Sequence, residues 1–163
     1  MWQQTIGEQP NTPPVAFTDP VHGAVIVAAT ADGRIYVLQE STGTILYNHR
    51  VSRTTGGLSA MAVHPEARMI VSGDIDGNVQ GFSLVDGSVK FWRRFGPERI
   101  LTLTNLSLTS PGQAELARAK LEITSPSEKV ALIAGAADNS FFILRVTDSE
   151  VTVVFTHTAA TLD

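Results

Sequence analysis

Short apolar runs, each about as long as a β-strand, recur along the chain. The first, residues 24–30, is apolar at nearly every position, which is typical of a strand that is buried on both faces. In the next, residues 34–39, Ile35 and Val37 alternate with Arg34 and Tyr36, as expected for a strand with a period of two. A third run follows at 45–47. This pattern predicts consecutive antiparallel strands joined by tight connections.

Turn-forming dipeptides separate these runs. Asp32-Gly33 predicts a two-residue hairpin of type I′, because that turn needs positive φ angles and glycine adopts them without steric cost. The predicted turns are, in chain order, Asp32-Gly33, Thr42-Gly43, Asp76-Gly77, Asp86-Gly87 and Asp138-Asn139.

The strand and turn pattern occurs three times. Asp32 and Asp76 are separated by 44 residues, and so are Gly43 and Gly87, so two independent landmarks give one period. Four strands per unit at a period of about 40–50 residues is typical of β-propeller blades. The third copy is displaced, because 62 residues separate Asp76 from Asp138.

We therefore predict an all-β fold in a single domain, a partial β-propeller of about three four-stranded antiparallel blades, with an insertion before the third. The predicted blades are 14–51, 58–95 and 100–158, the predicted insertion is 97–120, and Trp2–Ile6 is predicted as an extra outer strand. Within and after the insertion we expect two strands joined by a loop, at 100–108 and 120–127. One of these two would be the first strand of the third blade.

The first repeat resembles the blade of the quinoprotein (PQQ-like) propellers. Asp32, Tyr36, Thr42 and Gly43 stand at the spacing of that family's pattern, and Tyr47 occupies its tryptophan position. The resemblance implies a propeller. Quinoprotein enzymes hold their cofactor and calcium with carboxylates and stacking tryptophans, and no such set can be assembled here.

The second repeat is more similar to a WD40 blade. His64-Pro65 stands where that family has a Ser-Pro turn after the first strand, and Asp76 matches its turn aspartate. Phe82-Ser83 replaces the Trp-Asp dipeptide. Both resemblances imply the same architecture, and the choice between the two ancestries stays open.

Three blades do not close a ring, since propellers have roughly four to eight blades. The end blades would then expose apolar faces, and large exposed apolar patches usually mark interfaces. Charged residues make up only 17% of the chain, below the usual share of about 25%. We expect protein partners that supply further blades, in the same chain or another, or a homodimer.

Composition argues against several other functions. The net charge of −4 and the pI of about 5.5 disfavour binding to nucleic acid. No apolar run reaches the length of a membrane span. The absence of cysteine favours an intracellular protein, and we expect a cytoplasmic location. The four histidines lack the spacing of metal ligands. We expect no cofactor, no metal and no enzymatic activity.

The most basic stretch is the candidate protein interface. Arginine and tryptophan commonly anchor interfaces, and the alternating leucines that follow would be prone to aggregate as a bare strand edge. The candidate residues are Trp92, Arg93, Arg94, Phe95, Arg99, Leu101 and Leu103. The simpler alternative is an outer strand with solvated arginines.

Three functions are compatible with these features. The first is a non-catalytic scaffold that mediates protein–protein contacts inside a larger assembly. The second is the propeller section of a quinoprotein-like or synthetase-type enzyme, suggested by the first repeat. The weakest is an RNA-associated protein that would use Arg93, Arg94 and Arg99.

Overall fold

The computed structural model describes residues 1–50, 57–106 and 130–159, and within these ranges it contains twelve strands and no helix. The strands are β1 (Val15–Asp19), β2 (Gly23–Ala29), β3 (Arg34–Gln39), β4 (Ile45–Arg50), β5 (Leu58–His64), β6 (Met69–Asp74), β7 (Asn78–Ser83), β8 (Val89–Arg94), β9 (Ile100–Asn105), β10 (Ala131–Ala137), β11 (Ser140–Val146) and β12 (Val151–Thr158).

The strands form three four-stranded antiparallel sheets, which we call blade 1 (β1–β4), blade 2 (β5–β8) and blade 3 (β9–β12). Each sheet is ordered as the chain runs. Contacts between sheets run mainly through the first strands, so β1, β5 and β9 are innermost and the fourth strands are outermost. This confirms the prediction of an all-β, partial β-propeller with three blades.

The backbone repeats more faithfully than the sequence does. In each blade the pairing between the third and fourth strands shifts register once, between Val37 and Leu38, between Gly81 and Phe82, and between Ile143 and Leu144. These shifts are spaced by the same 44 and 62 residues as the turn aspartates. Blade 3 is therefore a true third repeat, although its turn sequences have diverged.

The prediction of a type I′ turn at Asp32-Gly33 is wrong. Gly33 has a φ of 79°, whereas Asp32 is not among the residues with positive φ. The backbone N–H of Gly33 instead donates to the carbonyl of Thr30, at 3.0 Å. The four-residue connection 30–33 thus combines an ordinary turn with one left-handed glycine, a common hairpin alternative.

The start of blade 3 also differs from the expected insertion. Residues 100–105, which lie inside the predicted insertion 97–120, form β9 and pair with β10 as the first strand of the blade. The extra residues therefore fall between β9 and β10, after the blade has begun. Residues 107–120 and the strand predicted at 120–127 lie outside the described residues.

The extra strand predicted at Trp2–Ile6 is wrong. These residues carry no strand pairing, and the nearest ladder contact is a single bridge between Pro10 and Thr30. Proline lacks a backbone N–H and so cannot continue a ladder. The Trp2 side chain is held instead by the connection between β3 and β4, where its Nε1–H donates to the carbonyl of Glu40 at 2.6 Å.

Two apolar layers hold the blades together. We call the face of a blade that lies toward the preceding blade its front face, and the opposite face its rear face. The layer between blades 1 and 2 joins the rear of blade 1 (Val25, Val27, Ala29, Ile35, Val37) to the front of blade 2 (Met61, Val63, Ile70, Phe82, Leu84). The layer between blades 2 and 3 joins the rear of blade 2 (Ala60, Ala62, Val71, Val79, Phe91) to the front of blade 3 (Ile133, Phe142, Leu144, Val146). Blade 2 is consequently buried on both faces.

Candidate protein interface

The rear face of blade 3 carries apolar side chains that no other blade of the described structure covers. We define the blade 3 rear face as Leu132, Ala134, Ala136, Phe141, Ile143 and Phe155. Strand alternation places these residues opposite the layer shared with blade 2. Phe141 and Phe155 contact each other edge to face, with ring centroids 6.2 Å apart.

Repeat-equivalent positions show what this face lacks. Phe141 corresponds to Val79 of blade 2, and its exposed fraction is 43% where that of Val79 is 0%. Phe155 pairs with Ile143 as Phe91 pairs with Gly81, and the two phenylalanines are 48% and 8% exposed. The residues at these positions are apolar in both blades. The difference in exposure therefore arises because blade 3 covers this face of blade 2, whereas no described blade covers the same face of blade 3.

The energetic consequence is substantial for a small domain. Burying a phenylalanine side chain stabilises a protein by roughly 1.5–3 kcal/mol. Two half-exposed phenylalanines beside smaller apolar residues therefore provide a cluster of interface anchors, with aromatic residues of the kind that dominate binding energy. The blade 3 rear face is thus the strongest candidate interface among the described residues.

The sequence predicted that the end blades expose apolar faces, but the interface residues it named lie at the end of blade 2 and the start of blade 3. Of the predicted interface residues, Trp92 is 56% exposed on the outer strand β8. Arg93 lies over the ring of Phe95, at 5.2 Å, and its Nη1 donates to the carbonyl of Val151 at 3.4 Å. Phe95 stacks against Phe142 at 5.8 Å. Arg93 and Phe95 therefore help to join blades 2 and 3.

The remaining predicted residues do not form one surface. Leu103 is buried in the layer between blades 2 and 3, so it is not available as a surface contact. Leu101 and Arg99 are exposed near the start of β9, and Arg94 donates from Nε to the nearby carbonyl of Gly96 at 3.2 Å. The predicted turn residues all lie in connections between strands.

A polar cluster joins blades 1 and 2 where β1 ends. Arg68 makes a bidentate ion pair with the buried carboxylate of Asp19, with Nε–Oδ1 2.7 Å and Nη2–Oδ2 3.0 Å. The backbone N–H and ring Nδ1 of His22 lie 3.0 and 2.7 Å from Asp19 Oδ2. Arg68 has a φ of 50°, a left-handed conformation that is uncommon outside glycine. The ion pair thus fixes an unfavourable backbone at the junction.

This junction gives a pH-dependent prediction. Burial raises the pKa of Asp19, but the bonds from Arg68 and His22 outweigh it and the pKa is lowered overall. The charged carboxylate therefore favours the folded state above the pKa of the unfolded chain, and this contribution is lost as the pH falls through the folded pKa. We expect Asp19→Asn to lower the free energy of unfolding by about 1–3 kcal/mol at neutral pH.

Urea denaturation of both proteins checks this expectation. The difference between wild type and Asp19→Asn should shrink as the pH falls from about 4 through the lowered folded-state pKa, because Asp19 is protonated in the unfolded chain before it is protonated in the folded protein. A difference that stays constant down to the lowest pH at which both proteins fold would contradict the assigned ion pair. Asp138→Asn, at an exposed turn, is the matched control.

Asp74 organises the connection between β6 and β7. Its buried Oδ1 accepts from the backbone N–H groups of Asp76 and Asn78, at 3.0 and 2.9 Å. Its Oδ2 accepts from the side-chain amides of Asn78 and Gln80, at 2.8 and 3.3 Å. The WD40 resemblance placed the turn aspartate at Asp76, which is exposed. Asp74 performs the capping role instead, as a structural carboxylate.

The described residues contain no other site with clear chemistry. Residues 1–50, 57–106 and 130–159 include no group of three or more histidine, aspartate or glutamate side chains placed to hold a metal ion. Over the same ranges no helix has the length and apolar character needed to cross a membrane.

Comparison with known proteins supports the fold alone. No protein-family model matches the chain, and no curated protein matches it by sequence. Among solved structures, it is similar to BBS1N in complex with ARL6DN, with 13% identity, a TM-score of 0.64, and 94% of this chain and 41% of that chain covered. The computationally designed Ika8 protein is 17% identical with a TM-score of 0.58, and the match covers 93% of this chain and 37% of that chain. A chain of the Mitotic Checkpoint Complex is 14% identical with a TM-score of 0.56, and the match covers 83% of this chain and 37% of that chain.

This chain matches only part of each similar structure. The chain spans about two fifths of each of these three propeller-like chains, while most of its own length is matched. The three blades described above therefore correspond to part of each larger structure. At this level of identity the likeness establishes a propeller-like architecture.

Proposed function

We propose that this protein is a non-catalytic scaffold, a three-bladed propeller section that mediates protein–protein contacts inside a larger assembly. The observation that carries the proposal is on the blade 3 rear face, where Phe141 and Phe155 are exposed while the equivalent Val79 and Phe91 of blade 2 are covered. Exposed apolar patches of this kind are characteristic of interaction surfaces.

Two further observations support the proposal. The similar structures include members of protein complexes, one bound to ARL6DN and one within the Mitotic Checkpoint Complex. Their chains are more than twice as long as this one, which is compatible with further blades completing a ring. The lack of cysteine supports an intracellular location for the assembly.

Site-resolved photocrosslinking in the cells of origin tests the proposal. A photoreactive p-benzoylphenylalanine in place of Phe155 should give a discrete higher-mass adduct, because that side chain would lie against a partner. The same residue in place of Val89, an equally exposed apolar position on the outer strand of blade 2, should give much less adduct. Equal yields from both positions, or no adduct from Phe155, would count against the scaffold function.

A further inference from the structure

The N-terminal segment, residues 2–12, lies along the front face of blade 1. The Trp2 indole bonds the carbonyl of Glu40 at the end of β3, and Gly7 lies against the hydroxyl of Tyr36 in its middle. In the connection that precedes β3, the N–H of Ala31 donates to the carbonyl of Gln9 at 3.0 Å. The segment thus follows the length of β3 in the opposite direction.

The N-terminal segment explains why two side chains on the front face of blade 1 are buried although no described blade covers them. Tyr36 and Leu38 alternate with Ile35 and Val37, so they point away from blade 2. No blade precedes blade 1 in the described structure, yet Tyr36 and Leu38 are both buried. The N-terminal segment therefore takes the place of a neighbouring blade over this part of the front face.

The contact of Trp2 repeats a contact between blades. Gly87 of blade 2 lies so close to the ring of His49, from the outer strand of blade 1, that a Cβ at Gly87 would overlap that ring. Gly43 is the equivalent glycine of blade 1, and the ring that a Cβ there would overlap is that of Trp2. Trp2 thus contacts blade 1 as His49 of the preceding blade contacts blade 2.

We infer that the blade 3 rear face binds the front face of another propeller blade, and that the N-terminal segment blocks the front face of blade 1 from acting as that partner. The inference rests on the proposed function, because it names the partner of the same surface. The partner is a four-stranded sheet that presents apolar side chains like those that blade 2 presents to blade 1, and blade 3 presents to blade 2. Association is consequently directional for the described residues, because blade 3 presents an open rear face while the N-terminal segment covers the front face of blade 1.

The chain can serve as its own probe for this geometry. Trp2→Ala with Asn11→Ala removes two side-chain anchors of the segment, the second being the bond from Asn11 to the carbonyl of Leu58, and so opens the front face. Phe141→Ser with Phe155→Ser disables the rear face. A front-open chain that also carries both serine substitutions offers only a front face, whereas the wild-type chain offers only a rear face.

Sedimentation equilibrium of the purified full-length proteins distinguishes the outcomes. We expect the wild-type chain and the front-open, rear-disabled chain to be monomers separately and to form a one-to-one complex when mixed. The front-open chain with an intact rear face should self-associate at least about tenfold more tightly than wild type. Gln3→Ala, which leaves both anchors in place, is the control for the first change, and Val89→Ser is the control for the second.

Three results would overturn the inference. One is a mixture that stays monomeric although circular dichroism shows that both chains are folded. Another is a front-open chain that self-associates no more tightly than wild type. The last is a wild-type dimer that the serine substitutions abolish, because two rear faces would then pair with each other. Purified chains alone are used, so failure here is distinguishable from the absence of a crosslinked partner in cells.

Discussion

Replacing Phe82 with alanine is expected to lower the free energy of unfolding by about 3–5 kcal/mol. Phe82 is among the largest fully buried side chains and lies in the layer that joins blade 2 to blade 1. The substitution removes the ring and leaves a cavity inside the apolar layer between two sheets, where the neighbouring side chains can relax only in part. Urea denaturation followed by circular dichroism measures the change.

Phe141→Ala is the matched control, because it is the same substitution on an exposed sheet face. No blade of the described structure packs against Phe141, and we expect its replacement to cost less than about 1 kcal/mol in the isolated chain. If the two substitutions destabilised the protein equally, the assignment of one face as covered and the other as open would be wrong.

Asp74→Ala should lower the free energy of unfolding by about 2–4 kcal/mol. Its carboxylate is the acceptor for two backbone N–H groups and two side-chain amides, and the Asp74 side chain is fully buried at the end of β6. Removing an acceptor while leaving its buried donors in place costs about 1–3 kcal/mol for a single group, and several donors are affected here. Thermal and urea unfolding should both show the loss.

Asp76→Ala provides the comparison two residues away. Asp76 is exposed at the same turn, and we expect its replacement to change the stability by no more than about 0.5 kcal/mol. A larger loss from Asp76→Ala than from Asp74→Ala would contradict the network and would favour the turn aspartate that the WD40 resemblance implies.

The sequence predicted the repeated unit well because the unit is encoded locally. The period of two along residues 34–39 and the glycines at 44-residue spacing depend on neighbouring residues and on backbone conformation, and the structure contains the corresponding strands and turns. The detailed form of a turn was less predictable. Asp32-Gly33 is compatible with several hairpin geometries, and the pairing of the flanking strands selects among them.

The residues of the candidate interface could not be predicted, because alternation does not reveal which face another blade covers. Phe141 and Phe142 are adjacent and equally apolar, yet one is open and the other buried. Which of them lies toward blade 2 depends on the direction in which the blades stack. Likewise Leu103 was predicted as an interface residue, but its position on the innermost strand β9 explains why it is buried.

The N-terminal segment is a second feature beyond the reach of local pattern. Trp2 alternates with its neighbours as a strand residue would, but its indole N–H finds a partner 38 residues away, at Glu40. That contact depends on the completed blade 1. Tyr36 is the one local signal, since a tyrosine in an otherwise aliphatic strand suggests a partner at the edge of the core.

The most direct measurement of whether an assembly covers the blade 3 rear face is the reactivity of single cysteines toward a membrane-permeant maleimide. The natural sequence has no cysteine, so each introduced thiol reports alone. The cysteine replaces His157, which is exposed and pairs with Phe141 on the same face, so both phenylalanine anchors stay in place. His157→Cys should react rapidly in the purified chain and at least about tenfold more slowly in cells, because burial limits access to the thiol. Val89→Cys should react rapidly in both settings. If His157→Cys is labelled as fast in cells as in the purified chain, no partner covers this face and the scaffold account is wrong.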